Sequence, residues 1–458
     1  MIPSQGRSGT APTYAAVLRA PHYLPIFIAN ALSLWGDYIA RVTVAAVVYD
    51  RTRSPLATAT TLAVSLLPTF FGRSLVGPIV DRFPYKWVLV WSHLLRALCV
   101  LGLIGFVMTH SPLWALFVVL FALEAIGGAS TASNMVLLTD LFEDRHLYAR
   151  AVGLGAMSEQ FNQAIGLAVG GGLVVLLGPS TGLVFDLVTF LAAAAVIVVV
   201  VELRPVTGQR GEGLRGFLAD LTSAAHDLAR HPVLLRLMTL SAVAGLAIAA
   251  PEALAIPIAN ENGWGGWGGV LMAAPIVGAF IGIVLIGRLP VQSQNRLILP
   301  MALAMPMPLL AVALHPPIGV VAGLFVLSGV LQAFMVPLQA TFTLVTEPAM
   351  RGRIFSLAGS VSVAAAGGSF LAAGWLGQHT NPYFGVAICA AIAFALVGLL
   401  GLSWPHHRVS RAVDRAYAPD TTALPLAPPP SSSGASSGAS SGAPAGAPSG
   451  ASASSRVA

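Results

Sequence analysis

The sequence predicts an all-α polytopic membrane protein in which twelve transmembrane helices form two six-helix bundles. Of its 458 residues, 56% are hydrophobic and only 9% are charged, whereas soluble proteins have about 25% charged residues. Apolar stretches of about twenty residues recur, which is long enough to cross a hydrocarbon core as helices. Helices are the expected form because lipid offers the backbone no hydrogen bonds. A polar stretch near the middle separates two sets of six spans.

The spans follow from apolar runs between polar breaks. The first bundle, 24–201, contains predicted spans at 24–49, 56–80, 87–108, 112–139, 151–178 and 181–201. The second bundle, 233–404, contains predicted spans at 233–258, 265–288, 296–314, 317–343, 352–377 and 382–404. Weak symmetry of this six-plus-six kind is typical of transporters, with the substrate site near the midplane between the repeats.

Three segments lie outside the bundles. Residues 1–23 form an N-terminal segment, and residues 202–232 form a linker whose leucines recur at helical spacing, which predicts an amphipathic interfacial helix. The tail, 405–458, is rich in Ser, Gly, Ala and Pro. This composition cannot bury enough apolar surface to fold, so we expect the tail to be disordered.

Basic residues gather in alternate connections between spans. The connections on one side carry Arg82, Lys86, Arg145, Arg150, Arg288, Arg296, Arg351 and Arg353, whereas those on the other side carry only Arg51 and Arg53. The positive-inside rule therefore predicts that both termini are cytoplasmic, in a plasma (inner) membrane. The net charge of +6 is scattered over these connections, which argues against a nucleic-acid surface.

Seven of the ionisable residues that fall inside apolar spans are candidates for proton coupling or substrate binding. They are Asp37, Arg41, Arg96, Glu124, Glu159, Asp186 and Glu252. Each costs about 2.5–3.5 kcal/mol at bilayer depth, so such residues usually face the bundle interior and mark pathways or relays. All except Glu252 lie in the first half, which predicts that energy coupling is concentrated there.

These candidates allow more than one role. Asp37 and Arg41 are four residues apart and can pair on one helical face, so Asp37 is either a proton or cation acceptor or only the partner of Arg41. Glu124 is either a proton-exchanging group or a structural partner of a nearby arginine. Asp186 and Glu252 lie nearer the outer ends of their spans, either as vestibule acids or as solvated groups, and Glu159 lies near the cytoplasmic mouth.

The connection between the second and third spans, Gly77-Pro-Ile-Val-Asp-Arg-Phe-Pro-Tyr-Lys86, resembles the signature loop of the major facilitator superfamily. Gly77, Asp81, Arg82 and Lys86 match the pattern, whereas Pro84 replaces a glycine and Tyr85 replaces a basic residue. The segments that begin at Trp35 and at Glu347 resemble drug and natural-product exporters of this superfamily. The resemblance implies the major facilitator fold.

The resemblance also implies a gate on the cytoplasmic side. Asp81, Arg82 and Lys86 would hold this side closed, together with residues of the same mouth, namely Gly77, Arg73, Arg351 and Arg353. The alternative is that the basic residues of the loop only set the topology.

The sequence contains no Walker loop, dinucleotide fingerprint, zinc spacing or nucleophile elbow, so we expect neither an enzyme nor a bound cofactor or metal. The expected function is proton-coupled export, by antiport and alternating access, of a lipophilic neutral or cationic small molecule such as a drug or natural product, with a role in multidrug resistance. The expected partners are that substrate, protons and the lipid bilayer, and the resemblance suggests a working monomer. Two alternatives remain: proton-coupled uptake of a nutrient or siderophore, and a transporter-like membrane sensor or scaffold.

Overall fold

The computed structural model describes residues 14–80, 83–109, 111–142, 144–203, 213–347, 350–402 and 404, with side chains left out at 69–80, 145, 213–221 and 352. Within these ranges every regular element is helical. The helices are α1 (Tyr14–Leu18), α2 (Tyr23–Thr52), α3 (Pro55–Val80), α4 (Tyr85–Thr109), α5 (Leu113–Leu141), α6 (Arg145–Leu177), α7 (Pro179–Val200), α8 (Gly213–Arg230), α9 (Pro232–Glu261), α10 (Trp267–Ile286), α11 (Val291–Ala304), α12 (Met307–Leu310), a 3₁₀ turn (Ala311–Leu314), α13 (Ile318–Gln332), α14 (Met335–Val345), α15 (Arg351–His379) and α16 (Pro382–Leu402).

Within the described ranges, eleven helical segments are long and apolar enough to cross a membrane. The twelfth predicted span corresponds to α3, whose described apolar part is shorter. Two of the spans are interrupted, one between α11 and α12 and one between α13 and α14. Prolines explain both interruptions, because Pro306 and Pro337 each lack the N–H that would continue the helical hydrogen bonding. The predicted all-helical fold with twelve spans is confirmed.

Two helix pairs form the largest contacts between the first six spans and the last six. Helix α3 packs along α15, and α6 packs along α10. At Gly171 of α6 an added Cβ would lie 2.7 Å from the Cα of Gly269 in α10, so the two backbones are in direct contact. At Gly374 of α15 an added Cβ would lie 3.1 Å from the Cα of Leu56 in α3. Only glycine permits such close approach.

Both of these glycine contacts lie at the same end of the helices, next to the connections that follow α2, α6, α9 and α15. We call this the closed end. The opposite end, which carries α8, is the linker end. There Ala224 and Leu228 of α8 are buried against Leu234, Ile354 and Leu357 of the second half, so α8 is anchored by apolar packing.

Candidate functional site

Helices α2, α4, α5, α7 and α9 bring six ionisable side chains together, which we call the charge cluster. Its members are Asp37, Arg41, Arg96, Glu124, Asp186 and Glu252. Most of them lie near the middle of their helices, far from either end. The cost of placing charges at this depth makes the cluster the leading candidate for the functional centre.

The tightest contact in the cluster joins α2 and α4. Arg96 Nη2 donates to Asp37 Oδ1 over 2.6 Å, and the side chains of Arg96 and Asp37 are only 7% and 18% exposed. The guanidinium also stacks over the ring of Phe190, with its Cζ 4.3 Å from the ring centroid. A Cβ added at Gly127 would lie 3.4 Å from that Cζ, so this glycine of α5 leaves room for the arginine. Arg96 is therefore held from three neighbouring helices.

A second and looser pair joins α2 and α5. Arg41 Nη2 lies 3.6 Å from Glu124 Oε1, and both side chains are about one-fifth exposed. The Arg41 guanidinium lies 5.3 Å from the ring centroid of Tyr38. Glu252, on α9 of the second half, is near enough to Arg41 for their charges to interact. Arg41 thus links the two halves electrostatically.

Asp186 of α7 is the deepest carboxyl of the cluster. It is fully buried, and neither of its carboxyl oxygens has a hydrogen-bond partner. A Cβ at Gly36 of α2 would overlap both the carboxyl of Asp186 and the hydroxyl of Thr189. The absence of a side chain at Gly36 therefore allows α7 to approach α2 directly beside Asp37.

The composition of the cluster is acidic. Among the described residues, four carboxyls, on Asp37, Glu124, Asp186 and Glu252, accompany the two guanidiniums of Arg41 and Arg96. If all six were ionised the cluster would carry an excess of two negative charges in a region that penalises charge. Such a site can accept protons or a cationic ligand.

The structure corrects two interpretations of these residues. Asp37 and Arg41 share a helix, but their ion pairs go to other helices, Asp37 to Arg96 and Arg41 to Glu124. Asp186 is not solvated, since it has no exposed surface. Glu159, by contrast, is exposed on α6. Periodicity places residues on a helix face but does not show which neighbour that face meets.

The residues predicted to form a gate can be followed only in part. Arg73 and Gly77 belong to α3, in the stretch without described side chains, and Asp81 and Arg82 lie outside the described residues. Lys86 Nζ donates to the carbonyl of Val198 over 2.9 Å. Lys86 thus binds the end of α7, within its own half.

The two arginines of the second half contact different groups. Arg351, the first residue of α15, donates through Nε to the carbonyl of Thr346, which directly follows α14, over 3.1 Å. Arg353 Nη1 donates to Ser223 Oγ over 3.0 Å and so ties α15 to α8. A cross-half latch therefore stays a prediction, while the linker contact of Arg353 is a feature that the sequence did not predict.

Two of the cavities among the described helices involve the second half, and no member of the charge cluster lines either of them. One, of about 510 Å³, lies between α3 and α15 and is lined almost entirely by apolar side chains, including Ala63, Leu67 and Leu371. The other, of about 280 Å³, lies among α9, α14 and α15, where Ser241 and Gln339 join apolar and aromatic residues. In the described residues no group of three or more His, Cys, Asp or Glu could hold a metal ion.

Several residues of the site were not predicted. Phe190 lies one turn after Asp186 and contacts Arg96, and Gly36 and Gly127 provide space for charged neighbours. His93, one turn before Arg96, is also buried, and its Nδ1 has no partner. For Phe190, Gly127 and His93, the available signal was their spacing from charged residues, since i, i+3 and i, i+4 neighbours share a helix face.

Comparisons with known proteins agree with this architecture. Residues 26–365 match the family described as Major Facilitator Superfamily. No curated protein matches the sequence. Among solved structures, the nucleoside transporter NupG aligns with a TM-score of 0.61 at 13% identity, covering 83% of this chain and 98% of that one. The POT family transporter PepTSo aligns with a TM-score of 0.64 at 13% identity, covering 85% and 98%.

A bacterial homologue of the iron transporter ferroportin aligns with a TM-score of 0.61 at 17% identity, covering 83% of this chain and 98% of that one. At these identities the structural likeness shows the fold, whereas the sequence match extends over most of the chain. The helices, the paired charges at membrane depth and the family match lead to one conclusion: this chain belongs to the Major Facilitator Superfamily.

Proposed function

We propose that the protein is a secondary active exporter that exchanges protons for a lipophilic neutral or cationic small molecule. The observation that carries this proposal is the acidic excess of the charge cluster, four carboxyls against two arginines at membrane depth. An acidic interior can bind either protons or a cation, and competition between them is the simplest basis for antiport.

The apolar cavity between α3 and α15 supports a lipophilic substrate. Its lining offers hardly any polar groups, and the exposed side chains of Leu67 and Leu371 lie at its surface. The smaller cavity adds aromatic surface, because Phe342 and Phe355 stack with ring centroids 5.9 Å apart. Ligand sites are usually apolar with few polar groups, as these cavities are.

For the orientation, we place the linker end in the cytoplasm of a plasma membrane. The basic residues Lys86, Arg351 and Arg353 lie at that end. Two exceptions lie at the closed end: the charge of Arg53 is paired with Asp50, and Arg51 donates to the carbonyls of Phe106, Val107 and Ser111. The positive charge of Arg51 there serves to cap α4, so neither exception weighs against this orientation.

The test is proton movement in reconstituted liposomes that enclose a pH-sensitive dye. Adding the lipophilic cations ethidium or tetraphenylphosphonium should dissipate an imposed pH gradient when the wild-type protein is present. Asp37→Asn removes the partner of Arg96 and should slow this response at least tenfold. Asp50→Asn is the matched control, because Asp50 is on the same helix but its side chain is 71% exposed at the end.

The outcomes separate the parts of the proposal. Probe transport that leaves the pH gradient unchanged would refute proton coupling. Proton-driven accumulation of the probe on the side of the linker end would show uptake by symport and refute export. An equal loss in Asp37→Asn and Asp50→Asn would show that the effect does not come from the cluster.

A further inference from the structure

Asp186 differs from every other member of the charge cluster. It is fully buried, yet both carboxyl oxygens are without a hydrogen-bond partner. Thr189 Oγ1, which lies beside this carboxyl, donates to the main-chain carbonyl of Asp186 over 2.7 Å. A buried carboxylate without partners is among the costliest groups a protein can hold, so the neutral acid is the favoured form in this arrangement.

Charged groups around Asp186 come from two of the helices that pack on α7, namely α2 and α4, and from α5 at longer range. Helix α2 contributes Asp37, next to the Gly36 that contacts Asp186, and α4 contributes Arg96. Helix α5 contributes Glu124, at electrostatic range. Within the described part of the chain α6 adds no charged group. Arg96 is therefore the cation that acts on Asp186, and it is occupied by Asp37.

Arg96 has unused capacity for a second carboxylate. Its Nη2 binds Asp37, but its Nε is buried without a partner. It rests on Phe190, one helical turn from Asp186 on α7. His93, one turn before Arg96 on α4, packs near the same ring, with centroids 5.9 Å apart. The aromatic face of Phe190 provides a surface on which the guanidinium can turn between α2 and α7 while keeping its cation–π contact.

We propose that Asp37 and Asp186 compete for Arg96, so that Asp186 holds a proton while Arg96 is paired with Asp37 and gives it up when Arg96 turns to Asp186. The exchange balances. Asp37 takes up one proton as its ion pair opens, Arg96 pairs with the carboxylate of Asp186, and the proton of Asp186 leaves. The total charge of the three groups stays at zero, and the neutral acid has moved from α7 to α2.

The importance of this exchange for transport rests on the proposed proton coupling, but its chemistry does not. An infrared experiment that needs no substrate tests it. Protein labelled with ¹³C at the aspartate side-chain carboxyl is reconstituted at neutral pH, and the difference spectrum between wild type and Asp186→Asn is recorded. We expect the substitution to remove a band of a protonated aspartic acid. Loss of carboxylate bands instead would overturn the proposal.

The competition itself is tested by Asp37→Asn. With its partner gone, Arg96 should pair with Asp186, so the protonated-acid band should fall to less than a tenth of its wild-type area. An unchanged band would overturn the exchange. Asp50→Asn, at the exposed end of α2, should leave the band as in wild type. If Asp186→Asn does not fold, Asp186→Glu serves instead, since an unlabelled glutamate removes the labelled band while keeping an acid.

Flux measurements on the same samples keep the two proposals apart. Expected spectra together with no proton movement on addition of ethidium would refute the proposed function and leave the competition for Arg96 standing. Proton movement together with an ionised Asp186 in wild type would refute the competition for Arg96 and leave the proposed function standing.

Discussion

Replacing Gly171 by alanine tests whether the closed end is held by backbone contact. A Cβ at this position would lie 2.7 Å from the Cα and the N of Gly269 and 3.2 Å from the carbonyl oxygen of Gly266. All three atoms belong to the backbone of the second half, so no side chain can turn away to relieve the overlap. The helices must separate at this end.

The size of the effect follows from the cost of overpacking. Forcing an extra methyl group into a tight contact costs about 1–3 kcal/mol. The strain exists only while the closed end is closed, so it shifts the equilibrium between conformations rather than destabilising both. A shift of about 1–3 kcal/mol corresponds to about a 5- to 150-fold change in the ratio of closed to open protein.

The assay is a distance measurement between spin labels at the closed end. Met108→Cys on α4 and Leu314→Cys at the end of the 3₁₀ turn place labels on the two halves, and these side chains are 69% and 81% exposed. Cys99 and Cys389 are replaced first. The Gly171→Ala variant should show a larger share of long distances than the unsubstituted pair.

The next residue on α6 provides a matched control. A Cβ at Gly172 would meet nothing within 4 Å, so Gly172→Ala should leave the distances unchanged. Helix propensity changes in the same way in both variants, which leaves the contact with α10 as the difference. Equal distance distributions for the two variants would refute the reasoning.

Two further predictions concern charged side chains that bind the ends of helices. Arg51→Gln removes a guanidinium that donates to three carbonyls at 2.8–3.2 Å. It should lower the free energy of unfolding by about 1.5–3 kcal/mol, measured as a lower thermal midpoint. The control is Arg53→Gln, which should change the free energy of unfolding by less than about 0.5 kcal/mol because the Arg53 side chain is 67% exposed. A similar midpoint for both variants would contradict this. Arg353→Gln removes the 3.0 Å hydrogen bond to Ser223 and should make proteolysis of the linker about two- to fivefold faster, as should Ser223→Ala. A change in only one of the two would show that this bond does not hold α8.

The sequence predicted the spans well because their signal is one of length and composition. A run of about twenty apolar residues is readable without knowing its neighbours. The interruptions at Pro306 and Pro337 were readable in principle from missing N–H groups, yet the predicted spans ran through them. The helices themselves can therefore be predicted from local sequence, and the larger errors concern how the helices pack against each other.

The pairing of the charges could not be predicted in the same way. The helices that carry Asp37, Arg96 and Asp186 are apolar on nearly all sides, so hydrophobic periodicity does not fix how each is rotated. Asp37 and Arg41 satisfy the spacing rule for a pair, but packing against α4 and α5 offers both residues better partners. Likewise, Gly171 and Gly172 are indistinguishable in sequence and differ only in what they face.

The charges of Glu252 and Arg41 interact between the two halves, so this interaction should sense their movement. The pair of Asp37 and Arg96 lies within the first half and moves as a unit with it, whereas Glu252 acts on Arg41 from α9 of the second half. Rocking of the halves must change the second distance more than the first. Glu252→Gln should then shift the spin-label equilibrium at the closed end by about 5- to 150-fold, the usual range for coupling between sites.

An exposed carboxyl at the opposite end offers the control for this prediction. Glu202→Gln, just after α7 at the linker end, should leave the spin-label equilibrium unchanged. In an Arg41→Gln background the Glu252 substitution should also lose its effect, because the charge that it senses is gone. An equal shift in both backgrounds would show that Glu252 acts through another contact. Arg41 also pairs with Glu124. A shift that depends on Arg41 would therefore show that this arginine couples the charge state of the first half to the position of the second half.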